Sequence, residues 1–220
     1  MSQTPPLTIE VVSDIVCPWC FIGKRRLEQA IQLVREDYPD FNPELRWQPF
    51  FLNPDTPPQG EPYQPFLIQK FGGREQMEAI FQRVRDVGAP LGIDYRFEKI
   101  EVRANTLDAH RLIHRAQQQG NATALVERLF AGQFERGENV SDRHVLADIA
   151  AECGDDRAAV LAYLDSDQDV ALIKAMERES RGWGVTAVPT FIFARKVGIQ
   201  GAEAPAALAD AIKEALNSGD

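Results

Sequence analysis

The sequence predicts an α/β fold whose small sheet and flanking helices are interrupted by an all-helical segment, and three observations support this prediction. The chain has 220 residues with 44% apolar side chains, which is enough for one sizeable core. Strand patterns occur only near the two ends of the chain, whereas the middle has apolar residues at helical spacing. The element order is therefore βαβ, many helices, then ββα, and neither end has enough strands to bury its own faces.

The N-terminal part predicts a βα unit followed by a second strand. Residues 7–12 are rich in β-branched side chains and lead to a turn at 13–14, which is typical of a buried strand. Apolar side chains then recur at helical spacing over 20–37. A second strand is predicted over 45–52, and the five prolines within 53–65 predict a loop there.

The middle of the chain predicts helices only. Apolar stripes place these helices around 77–87, around 107–116, and over 122–135, 141–152, 156–164 and 166–182. Ser141 and either Asp155 or Asp156 are candidate N-caps, because their side-chain oxygens can accept hydrogen bonds from first-turn amides.

Strand character returns in two short runs between 190 and 200, and a last amphipathic helix follows from about 205 to 216. An insertion into one domain explains this order better than two consecutive domains do. We therefore predict a discontinuous core domain of residues 1–52 and 183–220, with an inserted helical domain of residues 53–182.

Composition and charge exclude several classes of protein. With 24 basic and 33 acidic side chains the net charge is -9, so the average surface repels a phosphate backbone and nucleic acid is not an expected partner. No apolar run approaches the length of about 20 residues that a membrane span requires, so no membrane partner is expected. Residues 1–6 have neither the basic nor the apolar part of a signal peptide. We therefore expect a cytoplasmic protein and leave its oligomeric state open.

The strongest chemical signal is the pair Cys17 and Cys20, which are separated by Pro18 and Trp19. Thiols at positions i and i+3 of a first helical turn lie on one side of the helix, at a spacing that suits a disulfide. Unpaired amides and the positive end of the helix dipole favour the thiolate of Cys17, so we predict Cys17 as the attacking sulfur. Pro18 suits the first helical position because it has no amide to leave unpaired. Cys20, one turn inside the helix, is the predicted resolving thiol.

Two other interpretations of the cysteine pair stay open at this point, namely inert packing and half of a zinc site. A closed zinc site needs further cysteine or histidine ligands, and the chain has only Cys153 and three dispersed histidines. His110 and His114 are four residues apart, but no carboxylate trio accompanies them, so we favour ordinary helix positions and predict no metal. Cys153 is interpreted as a small buried hydrophobe.

Three further features near the motif have less specific interpretations. Asp14 is interpreted as a cap of the loop, with proton acceptance near the sulfurs as the alternative. His110 lies in segment 105–111, and the family resemblance described below implies a minor role for it near the cleft. The basic run 24–26 is interpreted as a solvated helix face.

A second signal lies far along the chain, where Pro189 begins a predicted strand. A proline at this position lacks the ladder amide and marks an edge, a bulge or a cis bond. Beside a CxxC motif we favour a cis bond between Val188 and Pro189, which would let the Val188 backbone pair with an extended chain lying across the sulfurs. Pro18, Trp19, Val188 and Pro189 are therefore the predicted substrate-binding residues.

Several motifs separated along the chain can be taken together: Cys17-Pro18-Trp19-Cys20-Phe21-Ile22-Gly23-Lys24-Arg25-Arg26, Pro49-Phe50-Phe51-Leu52-Asn53-Pro54, Asn105-Thr106-Leu107-Asp108-Ala109-His110-Arg111, Val188-Pro189-Thr190-Phe191 and Gly201-Ala202. In this combination the chain resembles the FrnE-like branch of the DsbA family over nearly its whole length. The resemblance implies a thioredoxin fold interrupted by a helical domain, a cis-proline at Pro189 and thiol–disulfide oxidoreductase activity. The same superfamily includes 2-hydroxychromene-2-carboxylate isomerases and kappa-class glutathione transferases, which typically have a serine and no second cysteine where Cys17 and Cys20 stand.

The leading functional hypothesis is a protein disulfide oxidoreductase or isomerase that acts on disulfide- or thiol-containing proteins or on small thiols. It needs no cofactor, although glutathione is a candidate co-substrate. The alternative is a glutathione-dependent isomerase or transferase acting on a small aromatic or polyketide-like compound, in which Cys17 positions the glutathione sulfur. Ala202 and Glu203 stand where glutathione-using relatives have a Ser-Asp pair, which speaks against a dedicated glutathione site. A third hypothesis is a client-binding module without catalysis.

Overall fold

The computed structural model describes residues 7–120 and 122–218. Its strands are β1 Thr8–Ser13, β2 Glu44–Pro49, β3 Glu61–Pro62, β4 Val102–Arg103, β5 Thr190–Phe193 and β6 Val197–Gln200. Its helices are α1 Pro18–Asp37, α2 Tyr63–Phe71, α3 Arg74–Gly88, α4 Leu107–Gln119, α5 Ala122–Ala131, α6 Arg143–Glu152, α7 Arg157–Asp165, α8 Val170–Gly182 and α9 Pro205–Asn217. Short 3-10 turns cover Ala89–Leu91 and Phe97–Lys99, and a π turn covers Gly132–Arg136.

The main sheet has four strands in the order β2-β1-β5-β6. Strand β1 runs parallel to β2 and antiparallel to β5, which pairs antiparallel with β6. A parallel pair needs a crossover connection, and α1 supplies it. The register sets Val12 opposite Thr190, so the end of β1 meets the beginning of β5. This register brings the turn that contains the two cysteines next to Pro189.

Helices cover both faces of this sheet. On one face α1 and α9 pack together, and the buried side chains there include Ile9, Phe191 and Ile212. Side chains alternate between the faces of a strand, so Val12 points the other way and packs with Val185, while α4 and α8 pack against β2. Helices α2 to α8 lie between β2 and β5 in the chain. The predicted α/β core with a helical insertion is confirmed, while the domain boundaries stay a prediction.

The prediction that the insertion contains only helices and that residues 53–65 form a loop is wrong in two places. Strands β3 and β4 form a short antiparallel ladder, in which Glu61 pairs with Arg103. A ladder of two residues per strand is too short to produce the period-2 pattern by which strands are predicted. In addition, α2 begins at Tyr63 and contains Pro65, because the first turn of a helix does not need the amide that proline lacks.

The helix caps differ in part from the predicted ones. Asp142 caps α6, whereas the hydroxyl of Ser141 accepts a hydrogen bond from the amide of Asn105 at 2.8 Å. A long-range partner of this kind has no local sequence signal. The predicted cap at Asp156 is confirmed, since its side chain accepts a hydrogen bond from an amide of the first turn of α7. The helix predicted over 166–182 begins four residues later.

The interpretation of the basic run as a solvated face is wrong for Lys24. This side chain is buried, and its Nζ lies 2.6 Å from Oε2 of Glu127 on α5 and 2.6 Å from Oε1 of Glu28. The helical periodicity of α1 contains no information about the insertion, which packs over Lys24. The buried ion pair therefore joins the insertion to the core domain.

Within 7–120 and 122–218, no helix is both long enough and apolar enough to cross a bilayer. The signal-peptide prediction concerns residues 1–6, which lie outside the described residues.

Candidate active site

Cys17 and Cys20 lie where β1 leads into α1. Cys17 is the N-cap residue of α1 and Pro18 is its first residue, as predicted. The amide of Cys17 donates to the carbonyl of Asp14 at 3.0 Å, and the amide of Cys20 donates to the carbonyl of Cys17 at 3.0 Å. Because the side chain of Cys17 does not cap the helix, its thiol is free for other contacts at the positive end of the helix dipole.

The two sulfurs have different environments. Both cysteines are free thiols and both are buried, with 4% of Cys17 and 1% of Cys20 exposed to solvent. Burial raises the pKa of the Cys20 thiol well above its ordinary value, and a hydrogen bond with Cys17 and the charge of that sulfur raise it further. A hydrogen bond from the Asp14 backbone offsets part of this rise. Cys20 is therefore a neutral thiol at neutral pH, in contact with Cys17.

Pro189 lies directly against the cysteine turn. The Val188–Pro189 peptide bond is cis, which confirms the prediction. The thiol of Cys17 donates to the carbonyl of Val188, with 3.6 Å between Sγ and O. Helix α1 approaches Pro189 so closely that a Cβ on Gly23 would lie 2.7 Å from its Cγ. Cys17, Val188 and Pro189 are therefore brought together from positions 171 residues apart.

The two residues between the cysteines contact the insertion. The ring of Trp19 is half-buried, and the guanidinium of Arg83 on α3 lies 5.9 Å from its centroid. The hydroxyl of Tyr95 donates to the carbonyl of Pro18 at 2.6 Å. The fold thus gathers Pro18, Trp19, Val188 and Pro189 around Cys17, while their role in substrate binding stays a prediction.

Comparison with known proteins decides the family. The sequence model of the DSBA-like thioredoxin domain matches residues 8–213. The chain belongs to the DSBA-like thioredoxin domain family. The predicted thioredoxin fold with a helical insertion is therefore confirmed, and the chain is a DsbA-like thiol–disulfide oxidoreductase.

Individual proteins are similar to the chain to different degrees. A structure described as a probable DsbA oxidoreductase from Streptomyces coelicolor is 29% identical, with a TM-score of 0.89 over 97% of this chain and 92% of that chain. YwbO of Bacillus subtilis, described as uncharacterized, is 29% identical over 187 residues, which are 84% of this chain and 85% of that protein. A 2-hydroxychromene-2-carboxylate isomerase is similar in fold alone, with 15% identity and a TM-score of 0.66 over 89% of each chain.

This DsbA-like chain has a buried carboxylate, Asp14, just before the cysteine turn. Asp14 is fully buried, and its Oδ2 accepts a hydrogen bond from the amide of Leu52 at 2.8 Å, so it binds the segment after β2 and not the cysteine loop that it was predicted to cap. Its Oδ1 lies 3.3 Å from Nε2 of His110, whose ring packs edge-on against Phe51. His110 is thus in contact with the loop that leads into the cysteine turn, as its position in the motif suggested.

In the part of the chain that the structure describes, neither the pair His110 and His114 nor Cys153 forms a second catalytic or metal site. His114 is separate from the Asp14 contact and lies beside Gln118. Cys153 is the C-cap of α6 and is only partly buried, so the prediction of a buried hydrophobe is wrong in the degree of burial, and partial burial raises the pKa of its thiol. Among the described residues, no group of three or more histidine, cysteine, aspartate or glutamate side chains is arranged to hold a metal ion.

Sequence reasoning missed Tyr95, which contacts the turn between the cysteines. Ile93, Tyr95 and Phe97 are all buried, and this alternation is the one local signal that could have marked the side chain as inward-facing. Nothing local in the sequence indicates that its hydroxyl meets the carbonyl of Pro18.

Proposed function

We propose that this DsbA-like chain is a FrnE-type enzyme that exchanges disulfides through Cys17 and Cys20. The observation that carries the proposal is the pair itself: two free thiols in contact, both buried, one at a helix N-terminus and one within the first turn behind it. A serine in place of Cys17 can only polarise a bound thiol, whereas two cysteines can pass through a mixed disulfide and resolve it internally.

The reaction consists of two exchange steps. In the first, the Cys17 thiolate attacks one sulfur of a substrate disulfide, a Cys17–substrate bond forms, and the other substrate sulfur leaves as a thiolate that takes up a proton. In the second, Cys20 loses its proton and attacks Cys17, which forms the Cys17–Cys20 disulfide and releases the second substrate thiol. A reducing thiol then restores the dithiol, and with a reduced substrate the steps run in the opposite direction.

The contrast between the two sulfurs supports this assignment of roles. Cys17 is buried like Cys20, but it lies at the positive end of α1, where a thiolate is favoured. Cys20 is buried, and the burial that raises its pKa keeps it protonated while Cys17 is free. The negative charge on Cys17 disappears when a mixed disulfide forms, so that part of the rise is removed and Cys20 becomes easier to deprotonate.

The proposed partners are disulfide- or thiol-containing proteins or small thiols in the cytoplasm. Pro18, Trp19, Val188 and Pro189 are proposed to contact them, because Pro18 and Trp19 follow Cys17 directly in the chain and Val188, which precedes Pro189, contacts the Cys17 sulfur through its carbonyl. The Val188 carbonyl accepts the Cys17 thiol proton in the dithiol form, and it is free to accept an amide of the substrate once Cys17 carries a disulfide.

The experiment that tests the proposal is insulin reduction with a thiol reductant. We expect the wild-type chain to accelerate it, Cys17→Ser to abolish the acceleration, and Cys20→Ser to accumulate a Cys17 mixed disulfide visible by mass spectrometry. Cys153→Ser is the matched control and is expected to behave as wild type, since Cys153 lies at the end of α6.

Equal activity of wild type and Cys17→Ser would reject disulfide exchange. Saturable glutathione binding that survives Cys20→Ser, together with no insulin reduction by the wild type, would instead favour the glutathione-dependent isomerase or transferase.

A further inference from the structure

Tyr95 reaches from the insertion into the active-site turn. It lies between α3 and β4, in a segment outside the main sheet, and its hydroxyl donates to the carbonyl of Pro18 at 2.6 Å. Pro18 is the residue that follows Cys17, and its carbonyl belongs to the peptide that carries the Trp19 amide. The insertion therefore makes a direct polar contact with the backbone between the two cysteines.

Packing holds the Tyr95 ring in one position. The side chain is 3% exposed and stacks on Phe97 with 5.2 Å between centroids. Phe21 and Phe134 contact it edge-on, at 6.2 Å and 5.5 Å. Gly88 lies behind it, where a Cβ would come within 2.4 Å of the ring. A hydroxyl fixed in this way loses little side-chain entropy when it binds the carbonyl.

We propose that Tyr95 is a positioning residue for disulfide exchange, and that its hydrogen bond to the Pro18 carbonyl strengthens the stabilisation of the Cys17 thiolate by the first amides of α1. This inference rests on the proposed function of the Cys17–Cys20 pair. Tyr95 touches no reacting atom, and it acts through the peptide group that joins Pro18 to Trp19.

The physical link is the polarisation of one peptide group. A hydrogen bond to a carbonyl oxygen makes the amide hydrogen of the same peptide more positive, and such chains of hydrogen bonds reinforce each other in a buried environment. The amide of Trp19 is one of the first amides of α1, which have no carbonyl partner within the helix. It is therefore among the groups that give the helix start its affinity for a thiolate.

The hydroxyl remains a donor throughout the reaction. Burial raises the pKa of Tyr95 far above its ordinary range, and the negative charges of Cys17 and Glu135 raise it further. A phenolate at this position would face the thiolate that the turn stabilises. Tyr95 therefore stays protonated when Cys17 is charged.

The hydrogen bond of Tyr95 should change the redox equilibrium between the cysteine pair and glutathione. Two glutathione thiols reduce the Cys17–Cys20 disulfide to the dithiol and become one glutathione disulfide. Stabilising the thiolate of Cys17 favours the dithiol side. Because the hydrogen bond to the Pro18 carbonyl can form in both redox states, removing it should lower this equilibrium constant only by the part of its strength that depends on the Cys17 charge, about two- to three-fold.

The test compares Tyr95→Phe with Tyr163→Phe. Phenylalanine keeps the stacked ring and removes only the hydroxyl. Tyr163 provides the matched control, since its buried hydroxyl bonds to the Arg111 carbonyl and to Asp169 within the insertion. The measurements are the equilibrium constant with glutathione and the ultraviolet absorbance of the thiolate as a function of pH.

We expect Tyr95→Phe to lower the equilibrium constant and to move the Cys17 thiolate absorbance to higher pH, while Tyr163→Phe leaves both as in wild type. The proposal is overturned if Tyr95→Phe matches wild type in both measurements, or if both variants change them equally. A wild-type chain that forms the disulfide reversibly but does not reduce insulin would reject the proposed function alone, because neither measurement here requires a protein substrate.

Discussion

Cys20 is a thiol held away from water, and its environment makes the stability of the fold depend on pH. The folded chain keeps the Cys20 proton at pH values at which the unfolded chain has released it, because burial raises the pKa in the folded state only. The folded state then binds more protons than the unfolded state, so stability falls as the pH rises. The contribution is fully present below the unfolded pKa of about 8.5 and is lost as the pH rises through the folded value.

We predict that the unfolding free energy of the reduced chain decreases above about pH 8.5, by up to about 1.4 kcal/mol per pH unit. Cys20→Ala should remove most of this decrease, whereas Cys153→Ala should keep it, since the Cys153 thiol is only partly buried. Urea unfolding of the three reduced proteins at several pH values measures the difference. Identical pH slopes for wild type and Cys20→Ala would contradict the prediction.

The residues of the site differ in how far the sequence alone predicts their contacts. Cys17, Cys20 and Pro189 belong to motifs with local signatures, so both their identity and their meeting can be predicted. Tyr95 and His110 have no such signature for their contacts, because their partners lie 77 and 96 residues away. Contacts at such separations depend on how the insertion packs against the core, and no local pattern contains that information.

Helix α1 carries both the cysteine turn and the surface against which Pro189 rests. Gly23 makes this approach possible, since an added Cβ would lie 2.7 Å from Cγ of Pro189 and 3.1 Å from Cζ of Phe191. The side chain of Phe191 is fully buried and cannot move aside freely. Because Gly23 has no Cβ, α1 can lie this close to Pro189. The contact between Cys17 and Val188 depends on that close approach.

Gly23→Ala should therefore lower both stability and activity. We predict a net loss of about 1–2 kcal/mol in unfolding free energy, because overpacking costs up to about 3 kcal/mol and the gain in helix propensity is about 1 kcal/mol. Insulin reduction should slow because Pro189 moves relative to Cys17. The matched control is Gly182→Ala at the end of α8, where an added Cβ meets nothing within 4 Å. If the two variants were equally stable and active, close packing at Gly23 would not matter.

At the scale of elements, periodicity predicts the long, amphipathic helices and the buried strands of the main sheet. It fails where an element is too short to show a period, as in β3 and β4, or where a proline lies in the first turn of a helix, as in α2. Local sequence also predicts Ser141 rather than Asp142 as the cap of α6. This prediction fails because the Ser141 hydroxyl bonds to an amide that is distant in sequence.

In the whole molecule, the insertion and the core domain are joined by contacts that cross near the active site. The hydroxyl of Tyr95 meets the carbonyl of Pro18, and His110 meets Asp14. On the other side of α1, Lys24 is buried beneath Glu127. The insertion supplies one of the two carboxylates that pair with the buried Lys24 ammonium, so it contributes to the environment of α1 as well as covering it.

The Lys24–Glu127 pair allows this connection to be measured. Glu127→Gln leaves the buried ammonium of Lys24 with Glu28 alone, and we predict a loss of about 1–2 kcal/mol in unfolding free energy, below the 3–5 typical of a fully buried pair because Glu127 is 30% exposed. Asp148→Asn, which breaks an exposed pair with Arg157, is the control and should change the unfolding free energy by less than about 0.5 kcal/mol. Adding Lys24→Met to Glu127→Gln should recover part of the loss, because no unpaired ammonium then remains buried. If Lys24→Met destabilises the Glu127→Gln variant as much as it destabilises the wild type, the two side chains are not coupled. The insertion is then not held to α1 through this pair.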